Sequence, residues 1–320
     1  MSAPVTVVIP NFNGTKLLRK NLPSVLKAAQ QYVPPAYVIV VDDGSKDDSV
    51  QVLRTEFPEI KLVIHEQNKG FAEAVHSGIA AAETELIMLL NSDVNVEKDL
   101  LESLVHYFDN PDTFSVNPLI YDEAGVSKRH SWNLRQFKKG SLKLLDWSLG
   151  KAETIRQSGN QLPTLYGHGG SMMLRRSMFQ SLGGFHPIYK PFYSEDYDLG
   201  IRAWRRGWSS FFEPNVSIVH QSIGSIREHV KMQYVKCIRR RNRYLLEWIH
   251  LTPSQLIFSA IPFSLLQLLG ELLIFDKTNL KGFLLAITKI PEVMLARREI
   301  NKTQTMSLND VLNIINKKAN

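Results

Sequence analysis

Apolar runs and helical stripes alternate through the first part of the chain. Val5–Ile9 is a β-branched run that stops at Pro10. From Lys16 to Gln31 the residues Leu17, Leu18, Leu22, Val25, Leu26 and Ala29 recur at three- and four-residue spacing, which predicts a helix with one buried side. Tyr37–Val41, Lys61–Ile64 and Leu86–Leu90 read as three further strands. Between them, Asp47 or Asp48 can cap a helix running to about Phe57, and Gly70–Ala82 predicts another. Strands and helices alternating at this spacing predict a parallel sheet with helices on both faces. Ligands of such sheets bind beyond the carboxyl ends of the strands. The polar clusters fall there: Asn11-Phe12-Asn13, Asp42-Asp43, Asn68-Lys69-Gly70 and Asn91-Ser92-Asp93.

The pattern then changes. Tyr121–Pro163, with Trp132, Trp147 and several Lys and Arg residues, shows no usable period. Gly167–Leu174 reads as a strand entered through glycines, and Arg176–Leu182 as a short helix. Ser194-Glu195-Asp196-Tyr197-Asp198 opens a helix through Arg206, and acids in a first turn suit the helix dipole. Trp204 and Trp208 read as core residues. Phe211–His220 is strand-like, and Gln221–Ser225 follows it. His229–His250 carries Lys236, Arg239, Arg240, Arg241 and Arg243 beside Tyr234, Tyr244 and Trp248. Leu256–Phe275 has 14 apolar residues in 20 and could span a bilayer by length. Ala260, Ser264, Gln267 and Glu271 share one helical face, however, and Pro262 interrupts the run. An amphipathic helix in the membrane interface is therefore expected, with a helical subdomain packed on the rest of the chain or on a second subunit as the alternative. Phe283–Leu295 is a shorter apolar segment broken by Pro291.

Composition narrows the field. A chain of 320 residues with 44% hydrophobic and 22% charged residues is globular, and large enough to bury a core without disulfides. Its one cysteine, Cys237, has no partner for an internal disulfide. Met1–Pro10 lacks a basic start followed by an apolar stretch, so a cytoplasmic chain is expected. Gln221–Asn320 carries 15 Lys and Arg against 7 Asp and Glu, so this part is +8 while the rest is −1. Nucleic acid or an anionic membrane would each suit such a patch. The apolar segment that follows selects the membrane surface, at the inner face of the cell membrane, and no nucleic-acid partner is expected. Neither a G-x-G-x-x-G after the first strand nor a Walker A sequence is present, which disfavours a dinucleotide-binding domain.

Taken in order, Val7-Val8-Ile9-Pro10-Asn11-Phe12-Asn13-Gly14, Val41-Asp42-Asp43-Gly44-Ser45, Asn68-Lys69-Gly70-Phe71-Ala72 and Leu90-Asn91-Ser92-Asp93 resemble the nucleotide-sugar half of glycosyltransferase family 2. Glu195-Asp196-Tyr197-Asp198-Leu199 with Arg202 and Gly207-Trp208 is similar to its catalytic segment, and His220–Ser225 to its H-x-x-G-x-S element. The tail resembles those of rhamnosyltransferase-like members that build cell-surface glycans. The resemblance implies a GT-A fold, an α/β architecture with a mostly parallel central sheet. It divides the chain into a transferase unit at 1–225, whose halves are 1–118 (nucleotide-sugar) and 119–225 (acceptor and catalysis), and a basic helical extension at 226–320. It further implies a nucleotide-diphosphate-sugar donor (UDP or dTDP), a lipid-linked or glycan acceptor, a divalent Mg²⁺ or Mn²⁺, and inversion at the anomeric carbon.

By the same resemblance Pro10, Asn11, Asn13, Asp42, Asp43, Lys69, Gly70 and Ser92 bind the donor, with Asp43 toward the base and Ser92 toward the ribose. Asp93 and His220 would ligate the metal; hard cations take oxygen ligands, and an imidazole suits Mn²⁺ better than Mg²⁺. The family's D-x-D is here Asn91-Ser92-Asp93, so only one carboxylate serves the metal. Asp196 is the expected catalytic base, with Glu195 and Asp198 as rivals. Alternatives are a sugar nucleotidyltransferase, which lacks a Gly-rich basic start here, and a non-catalytic membrane adaptor on the same fold. Donor base, sugar, acceptor and oligomeric state are not legible in the sequence.

Overall fold

The computed structural model describes residues 3–221, 231–273 and 277–319. One mixed sheet of nine strands forms the centre, in the order β3-β2-β1-β4-β10-β6-β11-β5, with β9 paired to β11 off this path. Its strands are β1 (Val5–Asn11), β2 (Ala36–Asp42), β3 (Lys61–Ile64), β4 (Leu86–Leu90), β5 (Val94–Val96), β6 (Thr113–Tyr121), β9 (Leu162–Pro163), β10 (Ser171–Arg175) and β11 (Ser209–His220). β1 pairs in parallel with β2 and β4, and β2 with β3. β10 is antiparallel to both β4 and β6, so β6 runs with β4, and β11 is parallel to β6. Six strands therefore end at one edge, which confirms the mostly parallel sheet.

All residues of β1 and β4 are buried, as expected of strands covered on both faces. Helices α1 (Thr15–Gln31), α2 (Ser49–Glu56) and α4 (Leu100–Val105) lie over one face, α3 (Phe71–Ala81) and α6 (Arg176–Ser181) over the other. In α1 the buried stripe runs through Leu18, Leu22, Val25 and Ala29, with Leu17 and Leu26 at its margins. Asp48 holds the N-cap position of α2 without a side-chain cap. Asp47 binds instead, accepting from Ser49 N at 3.1 Å and Thr15 N at 3.0 Å, so it joins the starts of two helices.

The stretch without a period is ordered by tertiary contact. β7 (Arg135–Lys138) and β8 (Ser141–Leu144) form a hairpin through Lys139 and Gly140, both at positive φ, as a two-residue primed turn requires. Trp132 is fully buried, donates to the Pro163 carbonyl at 2.8 Å and stacks on Phe212. α5 (Leu149–Gln157) completes this region. Helix α7 (Glu195–Arg205) divides its contacts, with Leu199 and Ala203 in one core and Ile201 and Trp204 in another. Trp204 is core, as expected, and donates to the Thr164 carbonyl.

The C-terminal helices are α8 (Met232–His250), α9 (Pro253–Leu273), α10 (Thr278–Ile287), α11 (Ile290–Thr303) and α12 (Leu308–Ala319). α8 packs into the main body of the fold: Tyr244, Leu245 and Ile249 share a core with Trp132, Trp204 and Phe212. Pro262 does not break α9. A wide turn over Leu256–Ala260 precedes it and lets the helix run through. Pro291 lies in the first turn of α11, where a missing N–H is tolerated.

Gly200 is where α7 meets Leu165–Tyr166: a Cβ there would lie 2.3 Å from Tyr166 Cβ and 2.6 Å from the Leu165 carbonyl. Gly200→Ala should therefore cost about 1–3 kcal/mol in denaturant unfolding, as overpacking does. Gly150→Ala, with open space at its Cβ, should be neutral or slightly stabilising.

Candidate functional site

The polar clusters meet at the carboxyl edge of the parallel strands. Asp42, at the end of β2, is buried and makes three bonds within the loops: it accepts from Asn11 Nδ2 at 3.0 Å, Ser45 Oγ at 2.6 Å and Ser45 N at 3.0 Å. Its carboxylate shapes the first two loops. Asp43 accepts from Lys69 N at 2.9 Å and Gly70 N at 2.8 Å and pairs with His65 Nδ1 at 2.7 Å. A carboxylate has about four acceptor positions, so one remains. Gly70, at φ 92, has open space where a Cβ would be, and Lys69 is exposed beside it. Asn13 Oδ1 accepts from Lys46 N, closing the rim. Asn11 Oδ1 is buried without a partner, and Gly14 leaves it room, since a Cβ there would stand 2.2 Å away. Pro10 is buried in β1, and Ser92 is half-buried with its carbonyl held by Asn21.

β11 brings the distant His220 to this edge. Val94 of β5 pairs with His220, and the Asp93 carbonyl accepts from Gln221 N at 3.0 Å. His220 Nε2 thus lies 3.1 Å from Asp93 Oδ1, which is buried and lacks an aligned hydrogen-bond partner. A buried, unsatisfied carboxylate oxygen facing an imidazole nitrogen is a fitting donor pair for a divalent cation. Ser222–Ser225 of the H-x-x-G-x-S element lies outside the described residues.

Two histidines that sequence reading passed over stand alongside. The His168 ring is 4.7 Å from that of His130 and 5.5 Å from that of His220. Burial, with His220 nearby, pushes His130 down to about 4, and burial holds His168 well below the ordinary histidine range. The signal for His168 was its setting in Gly167-His168-Gly169-Gly170, where glycines let the chain pass close to Met172 and Asn91. His130 lay in the stretch without a period.

The next residue connects this edge to α7. Gly169 N donates to Asp196 Oδ2 at 3.1 Å, and Tyr197 N donates to Oδ1 at 2.8 Å. Burial raises the Asp196 carboxyl, opposed by those two N–H groups and by Arg135. Glu195 Oε2 is buried without any partner, and burial beside Asp196 pushes Glu195 up to about 8. Burial beside Asp196 thus favours the protonated form of Glu195 at neutral pH, while the two N–H groups favour the charged form of Asp196. Arg135 lies 5.1 Å over the Tyr197 ring and donates to Tyr166 Oη, forming a stack beside Asp196.

Asp198 is placed differently from its rivals. It is 1% exposed, against the half-buried Glu195 and Asp196. Its Oδ2 accepts from Arg202 Nε at 2.6 Å; its Oδ1 accepts from Tyr189 Oη at 3.1 Å and His250 Nε2 at 2.8 Å. Burial alone would raise this carboxyl, but the Arg202 guanidinium and the His250 hydrogen bond hold it well below the usual range. Burial pushes His250 below its ordinary range. Arg205 Nη1 faces His250 Nδ1 at 3.4 Å and can only donate, which fixes a neutral ring with Nε2–H on Asp198. Asp198 is thus a buried joint between α7 and α8, turned away from any acceptor.

The turn entering α7 is strained: Tyr193 and Ser194 have φ of 71° and 75°. α8 holds it. Asn242 Nδ2 lies 2.8 to 2.9 Å from the carbonyls of Tyr189, Phe192 and Tyr193. Arg241 donates to the carbonyls of Tyr189 and Lys190. This corrects the expectation that Arg241 belongs to a basic surface: it is buried. Arg243 reaches Gln267, and Arg240 approaches Glu271 at 4.0 Å, while Lys236 and Arg239 remain exposed.

The profile of the family described as Glycosyl transferase family 2 matches residues 6–183. The chain is 24% identical over 245 residues to the N-acetylglucosaminyl-diphospho-decaprenol L-rhamnosyltransferase of Mycobacterium tuberculosis, covering 70% of this chain and 78% of that one. It is 29% identical over 239 residues to the O-antigen chain rhamnosyltransferase RfbN of Salmonella typhimurium, covering 72% and 70%. The fold superposes with a TM-score of 0.55 and 14% identity on the mannosyltransferase PcManGT from Pyrobaculum calidifontis in complex with GDP-Man and Mn²⁺, over 100% of this chain and 85% of that one.

Asp198→Asn should destabilise the chain by about 3–5 kcal/mol, because it leaves buried Arg202 without its counter-charge. The pH sense follows from the two shifts. Asp198 has a depressed folded pKa, so its stabilisation is present above the ordinary carboxylate pKa and is lost as pH falls toward the folded value. His250 is also depressed, so the unfolded chain takes up its proton first, from about pH 6.5 downward. Denaturant unfolding of wild type and His250→Gln across that range should show their stability difference shrinking as pH falls.

Proposed function

We propose that this chain, which belongs to glycosyl transferase family 2, moves a sugar from a UDP or dTDP donor to a lipid-linked or polysaccharide acceptor at a membrane surface. Membership makes it an inverting glycosyltransferase of the GT-A fold. The observation that carries the reading is the meeting of two groups at one sheet edge: the Asp93–His220 pair, and Asp196 linked to it through consecutive His168 and Gly169.

A sugar departing from a diphosphate leaves negative charge behind. A divalent cation, held by Asp93 and His220, would supply Lewis acidity to that leaving group. With one carboxylate in Asn91-Ser92-Asp93, the donor's own phosphates contribute much of its binding. Asn11 Oδ1, buried and unpartnered, is a ready acceptor for an N–H of the base. Asp43 fixes the Lys69–Gly70 backbone and retains one acceptor position for the nucleotide. Lys69 is free to offset phosphate charge.

Inversion needs one displacement, with a base on the face opposite the leaving group. Asp196 is that base: it is half-buried and fixed by two N–H groups that favour its charged form, and burial raises its pKa toward working pH. Neutral Glu195 beside it removes a competing charge. Asp198 has no such access. Asp196→Asn should lower turnover by at least about 10²-fold with donor affinity nearly unchanged, as loss of a general base does. Near-normal turnover of Asp196→Asn would move the base elsewhere. Metal-dependent hydrolysis of a UDP-sugar by the wild type would exclude a non-catalytic adaptor.

The membrane reading rests on α9. Its polar stripe faces the protein: Gln267 bonds Arg243 and Glu271, and of the helix only Ala260 and Leu268 are buried. Phe258, Ile261, Leu265, Leu269 and Leu273 face outward, joined by Leu284 and Leu285 of α10 and Leu295 of α11. An apolar face this large, on a helix long and apolar enough to cross a membrane, requires an apolar cover. Exposed Lys236 and Arg239 would add about 1 kcal/mol each against anionic lipid. Flotation with vesicles of anionic lipid should recover the chain at low salt and retain part of it at high salt. Recovery in the vesicle-free fraction at low salt would place a second subunit on this face instead.

A further inference from the structure

His130, His168 and His220 come from three separate parts of the chain: the loop before β7, the glycine loop before β10, and the end of β11. Each offers a ring nitrogen within 4.8 Å of the others. Three imidazoles brought together in this way have two common explanations, stacking within a core or binding of an ion. The surroundings favour the ion. All three rings are half-buried, so a solvated cation can reach them. His130 Nε2 is buried without a hydrogen-bond partner, which a stacked core histidine would not leave unmet. The glycines on either side of His168 give it its position: a Cβ at Gly167 would meet Met172 at 2.8 Å, and one at Gly170 would meet Asn91 at 2.4 Å. Asn117 Oδ1 accepts the His168 backbone N–H at 2.9 Å and fixes the loop from β6.

We infer that His130, His168 and His220 form a binding site for a borderline transition-metal ion such as Zn²⁺ or Co²⁺, which is filled without nucleotide. Three neutral imidazoles suit such ions, whereas Mg²⁺ prefers oxygen and retains its waters. A three-histidine set also leaves a coordination position open to water or substrate, as catalytic zinc sites do. The site differs from the Asp93–His220 pair in two ways. It needs no phosphate oxygens to complete it, and two of its three ligands are not among the residues assigned to the donor or its metal. The inference does not rest on the transferase reading, because its test uses no sugar nucleotide.

Untagged, metal-stripped wild type is titrated calorimetrically with Zn²⁺ in the absence of nucleotide, and with Co²⁺ by visible absorption. One Zn²⁺ per chain and a ligand-field band with Co²⁺ are expected. His130→Gln and His168→Gln should each weaken Zn²⁺ by more than about 10-fold, since even loss of an outer partner costs 10–100-fold. Binding of UDP with Mn²⁺ should persist in His130→Gln. X-ray absorption of the Zn²⁺-loaded wild type, which involves no substitution, should count three imidazole nitrogens at about 2.0–2.1 Å. No Zn²⁺ uptake without nucleotide, unchanged affinity in both variants, or a shell with fewer than three imidazoles would overturn the site.

Discussion

The buried carboxylate of Asp198 is the joint on which the placement of α7 depends. One oxygen binds Arg202 on its own helix, and the other binds Tyr189 and His250. Arg202 in turn donates to the carbonyls of Leu182 and Gly184. Four segments are thus fixed around one charge that water does not reach. The energetic logic is asymmetric: an intact buried pair adds little beyond an apolar packing, but removing one partner leaves an unpaired charge. Helix α7 is therefore set in one position relative to α8. That matters because the turn before α7 holds two non-glycine residues at positive φ, a conformation that persists only when its surroundings over-determine it. Asn242 and Arg241 supply that constraint through backbone carbonyls.

Three acids within four positions consequently have three different environments. Asp198 is held in its charged form by a buried guanidinium, burial beside Asp196 favours the protonated form of Glu195, and two backbone N–H groups favour the charge on Asp196. Neighbouring residues of a helix point about 100° apart, and that angle alone sends the three carboxyls to different surroundings. Tuning by environment, and not by residue type, separates a structural acid from a catalytic one.

The C-terminal helices serve two purposes that composition had merged into one basic patch. α8 turns Arg241, Asn242 and His250 inward to hold the catalytic turn. α9 turns its polar stripe inward and its leucines outward, the reverse of an ordinary surface helix. Gly140 in the hairpin turn permits this docking, since a Cβ there would meet Phe263 Cβ and the Ser259 carbonyl at 2.8 Å. The apolar surface is therefore presented by a helix anchored to the enzyme.

The parallel sheet and its ligand edge, with Asp93 in one of the polar clusters there, were legible in sequence, because strand periodicity and strand-end polar clusters are local signals. The pairing of Asp93 with His220 came from motif order, and β5 against β11 realises it. The unassigned stretch around Trp132 was not legible, since its strands are short and their order comes from burial against Phe212 and Pro163. Nor could spacing tell which acid of Glu195, Asp196 and Asp198 is reachable; that follows from a histidine 52 positions away and from a glycine loop 27 positions back. His130 carried no local pattern, and His168 only its run of glycines. The chain's own order determined the strand and helix alternation and the ligand edge, because periodicity and strand-end polar clusters are written in consecutive residues. Only the tertiary structure decided which charges are buried, which face of α9 meets solvent and which histidines meet, because desolvation and side-chain proximity belong to the folded surface and not to any segment of it.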